Sequence, residues 1–147
     1  MADADIDSQR REILFDEFTD EEILSLPTEQ IEGLVFDGRP IVFRIGSATV
    51  LGEFRRIENR LIIELAQIEG GGEGILPSLG SLARRYAQAN SIATVEWIVH
   101  AVTCAKPNLK LRRILDRRGF VVRELPGFGQ AYHYIDVLTH HPTNVSL

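Results

Sequence analysis

The stretch QIEGGGEGIL, residues 67–76, separates an apolar, β-branched segment from a long segment with helical periodicity. Four of its residues are glycine, so the pattern predicts a strand, a bare loop and the start of a helix. Glycine lets the backbone approach a ligand and adopt positive φ, and the free N–H groups of a helix N-terminus favour a phosphate. A phosphate-bearing cofactor is therefore the first hypothesis for this loop.

Two common glycine-loop motifs do not fit this stretch. A P-loop requires Lys-Ser or Lys-Thr directly after its last glycine, whereas Ile75 and Leu76 follow Gly74. A dinucleotide-binding fold requires βαβ units on both sides of the loop, and the chain before it instead predicts hairpins. Neither a P-loop nor a dinucleotide fold is predicted.

The chain has 147 residues, of which 44% are hydrophobic and 25% charged, as is usual for one soluble domain. We predict a disordered acidic tail over residues 1–9 and a single domain over 10–147, with a helical part at 10–38 and a sheet core at 39–138. The chain contains neither a membrane-spanning apolar run nor a signal peptide, so we expect a cytoplasmic protein without membrane contact. A single cysteine and four histidines without HExxH spacing predict no metal site.

The net charge of −5 conceals an asymmetry along the chain. Residues 1–38 hold twelve acids against two arginines, and residues 39–147 hold nine acids against fourteen basic residues. The acidic segment has three interpretations that stay open: a solvated surface, a segment folded against a basic groove, or a surface for a basic partner. Nucleic acid is not the expected ligand, because the total charge is negative and the basic stretch, residues 106–118, lacks interleaved aromatic residues.

Apolar periodicity and turn residues predict the elements. Two short helices precede residue 38, the second ending at Asp37-Gly38, and a three-strand meander follows. A helix after the glycine loop leads into a central strand, a further helix ends at Gly119, and a strand pair closes the domain. The predicted strands are Ile41–Ile45, Ala48–Ile57, Arg60–Ile68, Ile92–Val102, Phe120–Leu125 and Ala131–Leu138, and the helix after the loop is Ile75–Ala89.

From residue 39 to 138 this layout resembles the GCN5-related N-acetyltransferase (GNAT) superfamily. In that family a loop of the form Q/R-x-x-G-x-G/A follows the fourth strand, and its amides bind the pyrophosphate of acetyl-CoA. Gln67, Gly70 and Gly72 match this spacing. The resemblance implies an α/β fold with a GNAT-like mixed, mostly antiparallel twisted sheet flanked by helices.

The resemblance also implies an activity, namely transfer of an acetyl or other acyl group from acyl-CoA to an amine by direct attack. The acceptor amine is a small molecule or a protein, and a homodimer is an open alternative. Asn108, placed before a Gly-Phe pair, matches the family's asparagine near the pantetheine arm. The implied acyl-CoA-binding residues are Gln67, Ile68, Gly70, Gly71, Gly72, Glu73, Gly74, Ile75 and Asn108.

Three features depart from the family pattern. Leu115 occupies the position of a tyrosine that often protonates the departing thiolate. Glu69 and Glu73 bracket the glycines, where a carboxylate would repel a pyrophosphate. The family's first strand could come only from the segment 12–18, whose pattern fits a helix equally well. These departures motivate an alternative function, a non-catalytic GNAT-like module. Such a module would bind a protein through its acidic N-terminal segment, as an inhibitor, immunity or regulatory partner.

Three side chains are candidates for acid–base chemistry. Glu64, on the apolar strand before the loop, is a candidate base, and its alternative is a strand glutamate that faces solvent or pairs with an arginine. His100 shares one face of the central strand with Glu96, where both residues line the cleft or serve as hydrogen-bonded core groups. Tyr132, on the last strand, is a candidate for the missing acid.

Overall fold

The computed structural model describes residues 12–15, 18–69, 74–102 and 109–138, with Gln67 described by its backbone alone. Within these ranges the chain forms eight strands and four helices. The strands are β1 (Ile13–Phe15), β2 (Phe18–Thr19), β3 (Ile41–Ile45), β4 (Ala48–Ile57), β5 (Arg60–Glu69), β6 (Thr94–Val99), β7 (Val121–Leu125) and β8 (Gly129–Val137). The helices are α1 (Asp20–Leu24), α2 (Thr28–Val35), α3 (Ile75–Asn90) and α4 (Leu109–Arg117).

The described strands form one sheet in the order β2-β1-β3-β4-β5-β6-β8-β7. Each neighbouring pair is antiparallel except β5 and β6, which are parallel and joined by the crossover helix α3. The sheet is therefore mixed and mostly antiparallel, and the order of elements is GNAT-like, as the sequence predicted.

The predicted meander is confirmed, and its two turns explain its register. Gly46 and Glu58 adopt positive φ angles of 59° and 54° in the two-residue connections of β3–β4 and β4–β5. Such angles match the right-handed twist of hairpin strands. The segment 12–18, which read equally well as helix or strand, forms a strand at Ile13–Phe15 that pairs with β3.

The helix predictions hold with shifted ends. Thr19 and Glu22 form a capping box, with hydrogen bonds of 3.1 and 2.9 Å, that starts α1. Helix α2 ends at Val35, earlier than the predicted Asp37-Gly38. The central strand is shorter than Ile92–Val102, because its first residue is still bonded to α3, the Ile92 N–H donating to the Ala87 carbonyl at 3.0 Å.

The two faces of the sheet differ in what covers them. On one face, which we call the helix-covered face, side chains such as Phe54, Ile63 and Trp97 share a single core with all four helices. The other face, here the open face, has a small apolar cluster of Ile62, Ile98 and Ala131, with no described helix residue in it. Charged side chains occupy much of the rest of the open face, which is where the candidate site lies.

Part of the acidic N-terminal segment folds onto the domain itself. Arg85 of α3 bonds the carboxylates of Asp20 at 3.0 Å and Glu21 at 2.7 Å, and Asp20 is 5% exposed. This contact holds α1 against α3, so these two acids are engaged by a cation of the same chain. Among the described helices, none is both long and apolar enough to cross a membrane.

Candidate functional site

Glu64 lies in the middle of β5, next to the end of its parallel pairing with β6 and to an irregular point in its pairing with β4. Leu65 pairs with Gly52 and Gln67 with Leu51, so Ala66 is an extra residue opposite the β4 strand. Gly52 permits this geometry, because a Cβ there would lie 3.1 Å from the Leu65 side chain. Such bulges are common beside functional sites, where they re-aim a side chain.

Glu64 and His100 form a close pair across the parallel strands. Glu64 Oε2 lies 2.7 Å from His100 Nε2, and the His100 N–H donates to the Leu65 carbonyl at 2.9 Å. When the carboxylate accepts the Nε2 proton, the neutral imidazole carries its free lone pair on Nδ1. The pair therefore provides an oriented base, and the structure brings together these two residues predicted from sequence.

Arg55 and Phe128 complete this group. Arg55 Nη1 donates to Glu64 at 3.2 Å and to Glu53 at 2.7 Å. Burial alone lowers the pKa of Arg55, but its bonds to the two carboxylates outweigh this effect and the pKa is raised. The Phe128 ring lies 5.5 Å from the Arg55 guanidinium and 6.3 Å from the His100 ring. We call Glu64, His100, Arg55 and Phe128 the Glu64 cluster.

The Glu64 cluster is partly buried and still reachable from solvent. The side chains of Glu64 and His100 are 17% and 24% exposed. Partial burial strengthens the electrostatic contacts within the group, and the remaining exposure leaves an approach for a ligand. The cluster lies where the parallel pairing ends at Leu65 and Val99, and β5 itself continues to Glu69, which precedes the glycine stretch.

A second carboxylate–histidine pair lies on the same open face, farther from the strand ends. Glu96 Oε2 lies 2.7 Å from His133 Nε2, and Arg60 donates to Glu96 at 3.0 Å. Burial acts to raise the pKa of Glu96, but the bonds to His133 and Arg60 dominate and lower it. We call these three residues the Glu96 cluster. Glu96 and His100 share a face, as predicted, but each pairs with a different residue.

Tyr132 is not brought to the Glu64 cluster. It pairs with Val99 across β6 and β8, is buried, and belongs to the core on the helix-covered face. Leu115, at the position of the family's tyrosine, is also completely buried in that core. The structure thus gives both positions a packing role, and the assignment of Tyr132 as an acid stays a prediction.

Most of the predicted acyl-CoA-binding residues lie outside the described residues: Gly70, Gly71, Gly72, Glu73, Asn108 and the Gln67 side chain. Ile68 is half-buried on β5, and Gly74 caps α3 with φ of 90°, the positive value that glycine tolerates. The first helical bond of α3 runs from the Ser78 N–H to the Gly74 carbonyl at 3.0 Å. The amides of Ile75 and the next residue therefore have no partner within the helix.

The basic stretch around α4 includes a residue with a structural role. Arg112 donates to the carbonyl of Ala101 at 2.7 Å and to that of Val102 at 2.8 Å. These bonds fix the chain just after β6 and support the position of His100. Arg112 is therefore engaged by backbone carbonyls of the same chain.

Sequence reasoning missed Arg55 and Phe128. A signal existed for each: alternation along β4 and β5 places Arg55 on the face of Glu64, and Phe128 is an aromatic residue between two turn glycines. Their distances from Glu64 and His100 depend on the hairpin of β7 and β8 crossing the sheet, which local patterns do not encode. Within the described ranges, no three His, Cys, Asp or Glu side chains cluster as metal ligands do.

Comparison with known proteins gives similarity in solved structures alone: no family model and no curated protein matches the chain. PaiA N-acetyltransferase from Thermoplasma acidophilum, in complex with coenzyme A, is 16% identical with a TM-score of 0.44, covering 80% of this chain and 70% of that one. Ard1 from Thermoplasma volcanium is 15% identical with a TM-score of 0.38, covering 93% of each chain.

Proposed function

We propose that this chain is an acyl-CoA-dependent N-acyltransferase that uses the Glu64 cluster to activate an amine. The observation that carries the proposal is the 2.7 Å Glu64–His100 pair where the parallel pairing of β5 and β6 ends. In α/β sheets, ligands commonly bind outside the carboxyl ends of parallel strands. The glycine stretch follows β5 in the sequence, so the proposed base and the proposed cofactor loop belong to the same strand–loop segment.

The residues at the start of α3 suit a pyrophosphate. Gly74 adopts positive φ, and the amides of Ile75 and Leu76 lack helical acceptors, so donors and the positive end of the helix dipole coincide. Gln67, Ile68 and the glycines before Gly74 would extend this set of donors, with Asn108 beside the pantetheine arm. Acyl-CoA, when bound, supplies the acyl group as a thioester.

The Glu64 cluster provides the proton transfer that an amine nucleophile requires. His100 takes the proton of the attacking amine at Nδ1 as the C–N bond forms, and Glu64 holds the imidazole in the required tautomer and stabilises its charged form. The C–S bond of the thioester then breaks, and the leaving thiolate takes a proton from the imidazolium or from solvent. Arg55 fixes the Glu64 carboxylate from the other side, and Phe128 shields the pair from water. We do not include Tyr132 in this step, because its side chain lies on the opposite face of the sheet.

Calorimetric titration with acetyl-CoA tests the binding half of this proposal. Desulfo-coenzyme A and ATP serve as controls for the contributions of the thioester end and of the phosphates. We expect micromolar binding of acetyl-CoA, abolished in Gly72→Trp and kept in Gly33→Trp, because Gly33 is exposed on α2 and a Cβ there would meet no atom within 4 Å. Absence of binding at millimolar acetyl-CoA would remove the proposal.

A second candidate, a non-catalytic protein-binding module, has one observation in its favour. Asp20 and Glu21 are engaged by Arg85 and Glu22 by the capping box, but Glu29 and Glu32 of α2 are exposed and offer an acidic surface to a basic partner. Under this proposal, a purified partner binds equally well to Glu64→Gln and in the presence of coenzyme A, and binding is lost when these two acids are changed to lysine. Dependence of the complex on Glu64 or on coenzyme A would reject it.

A further inference from the structure

A pocket of about 160 Å³ lies between α3 and the chain that follows α4, on the helix-covered face. It is separate from the Glu64 cluster, which lies on the open face. Its walls combine arginines with aromatic rings. The lining residues include Gly80, Arg84, Trp97, Arg118, Phe120 and Tyr134. A cavity of about 150 Å³ is known to hold one benzene ring, so this one has room for a single-ring compound.

The pocket has an excess of positive charge. Within the described part of the chain, the one ion pair of Arg84 is a long contact of 3.7 Å with Asp136, the single acid among the described residues that line the pocket. Arg118 has no ion-pair partner among the described side chains. Burial lowers the pKa of Arg118, and the neighbouring charges of Arg84 and Arg117 lower it further. Crowded guanidinium groups repel one another, and a bound anion would relieve that repulsion.

The uncharged part of the pocket is aromatic. Trp97 and Phe120 are buried, and the rings of Phe120 and Tyr134 lie with their centroids 5.3 Å apart. Gly80 keeps the α3 side open, because a Cβ there would meet no atom within 4 Å. Glycine inside a helix is less favourable than alanine by about 1 kcal/mol, and the helical backbone at Gly80 does not require it.

We propose that the pocket between α3 and the chain that follows α4 binds a small aromatic anion. The ring would pack against Trp97, Phe120 and Tyr134, and the acidic group would pair with Arg84 and Arg118. The shared chemistry is one aromatic ring bearing one carboxylate or phosphate. This site is independent of acyl transfer and is expected whether or not the chain is an enzyme.

Trp97 is the only tryptophan of the chain, so its fluorescence reports occupancy of the pocket directly. The probes are benzoate, 3-phenylpropionate and phenyl phosphate, with cyclohexanecarboxylate and benzyl alcohol as controls that lack the ring or the charge. We expect a saturable change of Trp97 emission with at least one aromatic anion and at least tenfold weaker binding of both controls. Absence of a saturable change with all three probes overturns the proposal.

Two variants test the position of the site. Gly80→Leu fills the pocket and raises helix propensity, so we expect binding of the probe to be lost while the thermal midpoint stays the same or rises. Arg118→Gln is expected to weaken binding at least tenfold, whereas Arg113→Gln, a matched change on the exposed part of α4, leaves it unchanged. Equal binding in Gly80→Leu and the unsubstituted protein would overturn the proposal.

One further ligand separates this site from the proposed acyl-CoA site. Adenosine 3′,5′-bisphosphate carries the aromatic and anionic end of coenzyme A. If it competes with the aromatic anion and Gly80→Leu also abolishes acetyl-CoA binding, the pocket belongs to the cofactor and the independent site is rejected. If acetyl-CoA binds Gly80→Leu normally, or binds neither protein while the probes still bind, the aromatic-anion site stands without regard to the proposed function.

Discussion

The open face of the sheet carries two clusters of nearly the same construction. In each, a glutamate lies 2.7 Å from a histidine and accepts a bond from an arginine, at 3.2 Å in the Glu64 cluster and 3.0 Å in the Glu96 cluster. The two clusters differ in their position along the strands and in how far the histidine is exposed. The histidine of the first is 24% exposed at the end of β6, and that of the second is 10% exposed within the sheet.

This difference teaches that the pairing of a carboxylate with an imidazole does not by itself indicate chemistry. The same pair can satisfy two polar groups in the middle of a sheet or orient a base at its edge. Position decides between these roles: the Glu64 cluster lies beside a bulge, an aromatic side chain and the glycine stretch. The Glu96 cluster therefore serves as an internal control for the proposed active site.

The largest expected effect is the loss of acyl transfer in Glu64→Gln. The amide cannot stabilise an imidazolium at His100, so we expect kcat/KM to fall by about 10²- to 10⁴-fold, the usual contribution of acid–base catalysis. Release of free thiol from acetyl-CoA with a panel of amines measures the rate. Glu96→Gln is the matched control and should leave the rate close to that of the unsubstituted protein. An equal loss in both variants would mean that the clusters do not differ in function.

For the stability of the fold, we expect the opposite order, with the larger effect from changing Glu96 and the smaller from changing Glu64. Glu96→Ala leaves His133, which is 10% exposed, without its acceptor inside the sheet, whereas the half-exposed Arg60 can turn to solvent; we expect the free energy of unfolding to fall by about 1–3 kcal/mol. Glu64→Ala should cost less, because Arg55 keeps its bond to Glu53 and His100 is nearer to solvent. Urea unfolding of the two variants gives both values. A larger cost for Glu64→Ala would contradict the structural role assigned to the Glu96 cluster.

The acid dependence of stability follows from Glu96. Its pKa in the folded chain lies below the usual value of 4.5, so its stabilising contribution is complete above that value and is lost as the pH falls through the folded pKa. We expect the stability difference between the unsubstituted protein and Glu96→Gln to shrink as the pH falls below about 4.5. Urea unfolding at a series of pH values measures it. A difference that grows in acid would show that the pKa is raised.

The sequence predicted most of the fold, because its signals are local. The turn residues Gly46 and Glu58, the capping box at Thr19 and the glycine at the start of α3 each determine their conformation over a few residues. The predictions were wrong for the end of α2, at Val35, and for both ends of the central strand, Thr94–Val99. These ends depend on hydrogen bonds to other parts of the chain, which local patterns do not encode.

The candidate site was less predictable, because its contacts join distant parts of the chain. Glu64 and His100 were recognised as polar residues on apolar strands, but their pairing follows from the parallel register of β5 and β6, which no local motif encodes. Tyr132 was chosen as a replacement for the tyrosine missing at Leu115. Alternation along β8 shows which residues share a face, and only the assembled sheet shows that Tyr132 faces the helices.

The smallest effect concerns the aromatic cover of the Glu64 cluster. Phe128 is about one-third exposed, so Phe128→Ala should change the free energy of unfolding by no more than about 0.5 kcal/mol. It should nevertheless raise the rate at which diethyl pyrocarbonate modifies His100 several-fold, because the ring shields the imidazole whose Nδ1 is the proposed base.

Mass spectrometry of the modified protein resolves the two histidines, and His133 provides the comparison within one molecule. No described aromatic ring stacks on His133, so its modification rate should be the same with and without Phe128. Phe18→Ala, which removes a similarly exposed ring elsewhere, is the matched control and should change neither rate. If His133 reacted as fast as His100 in the unsubstituted protein, depth in the sheet would not distinguish the two clusters, and their different roles would have to rest on the glycine stretch alone.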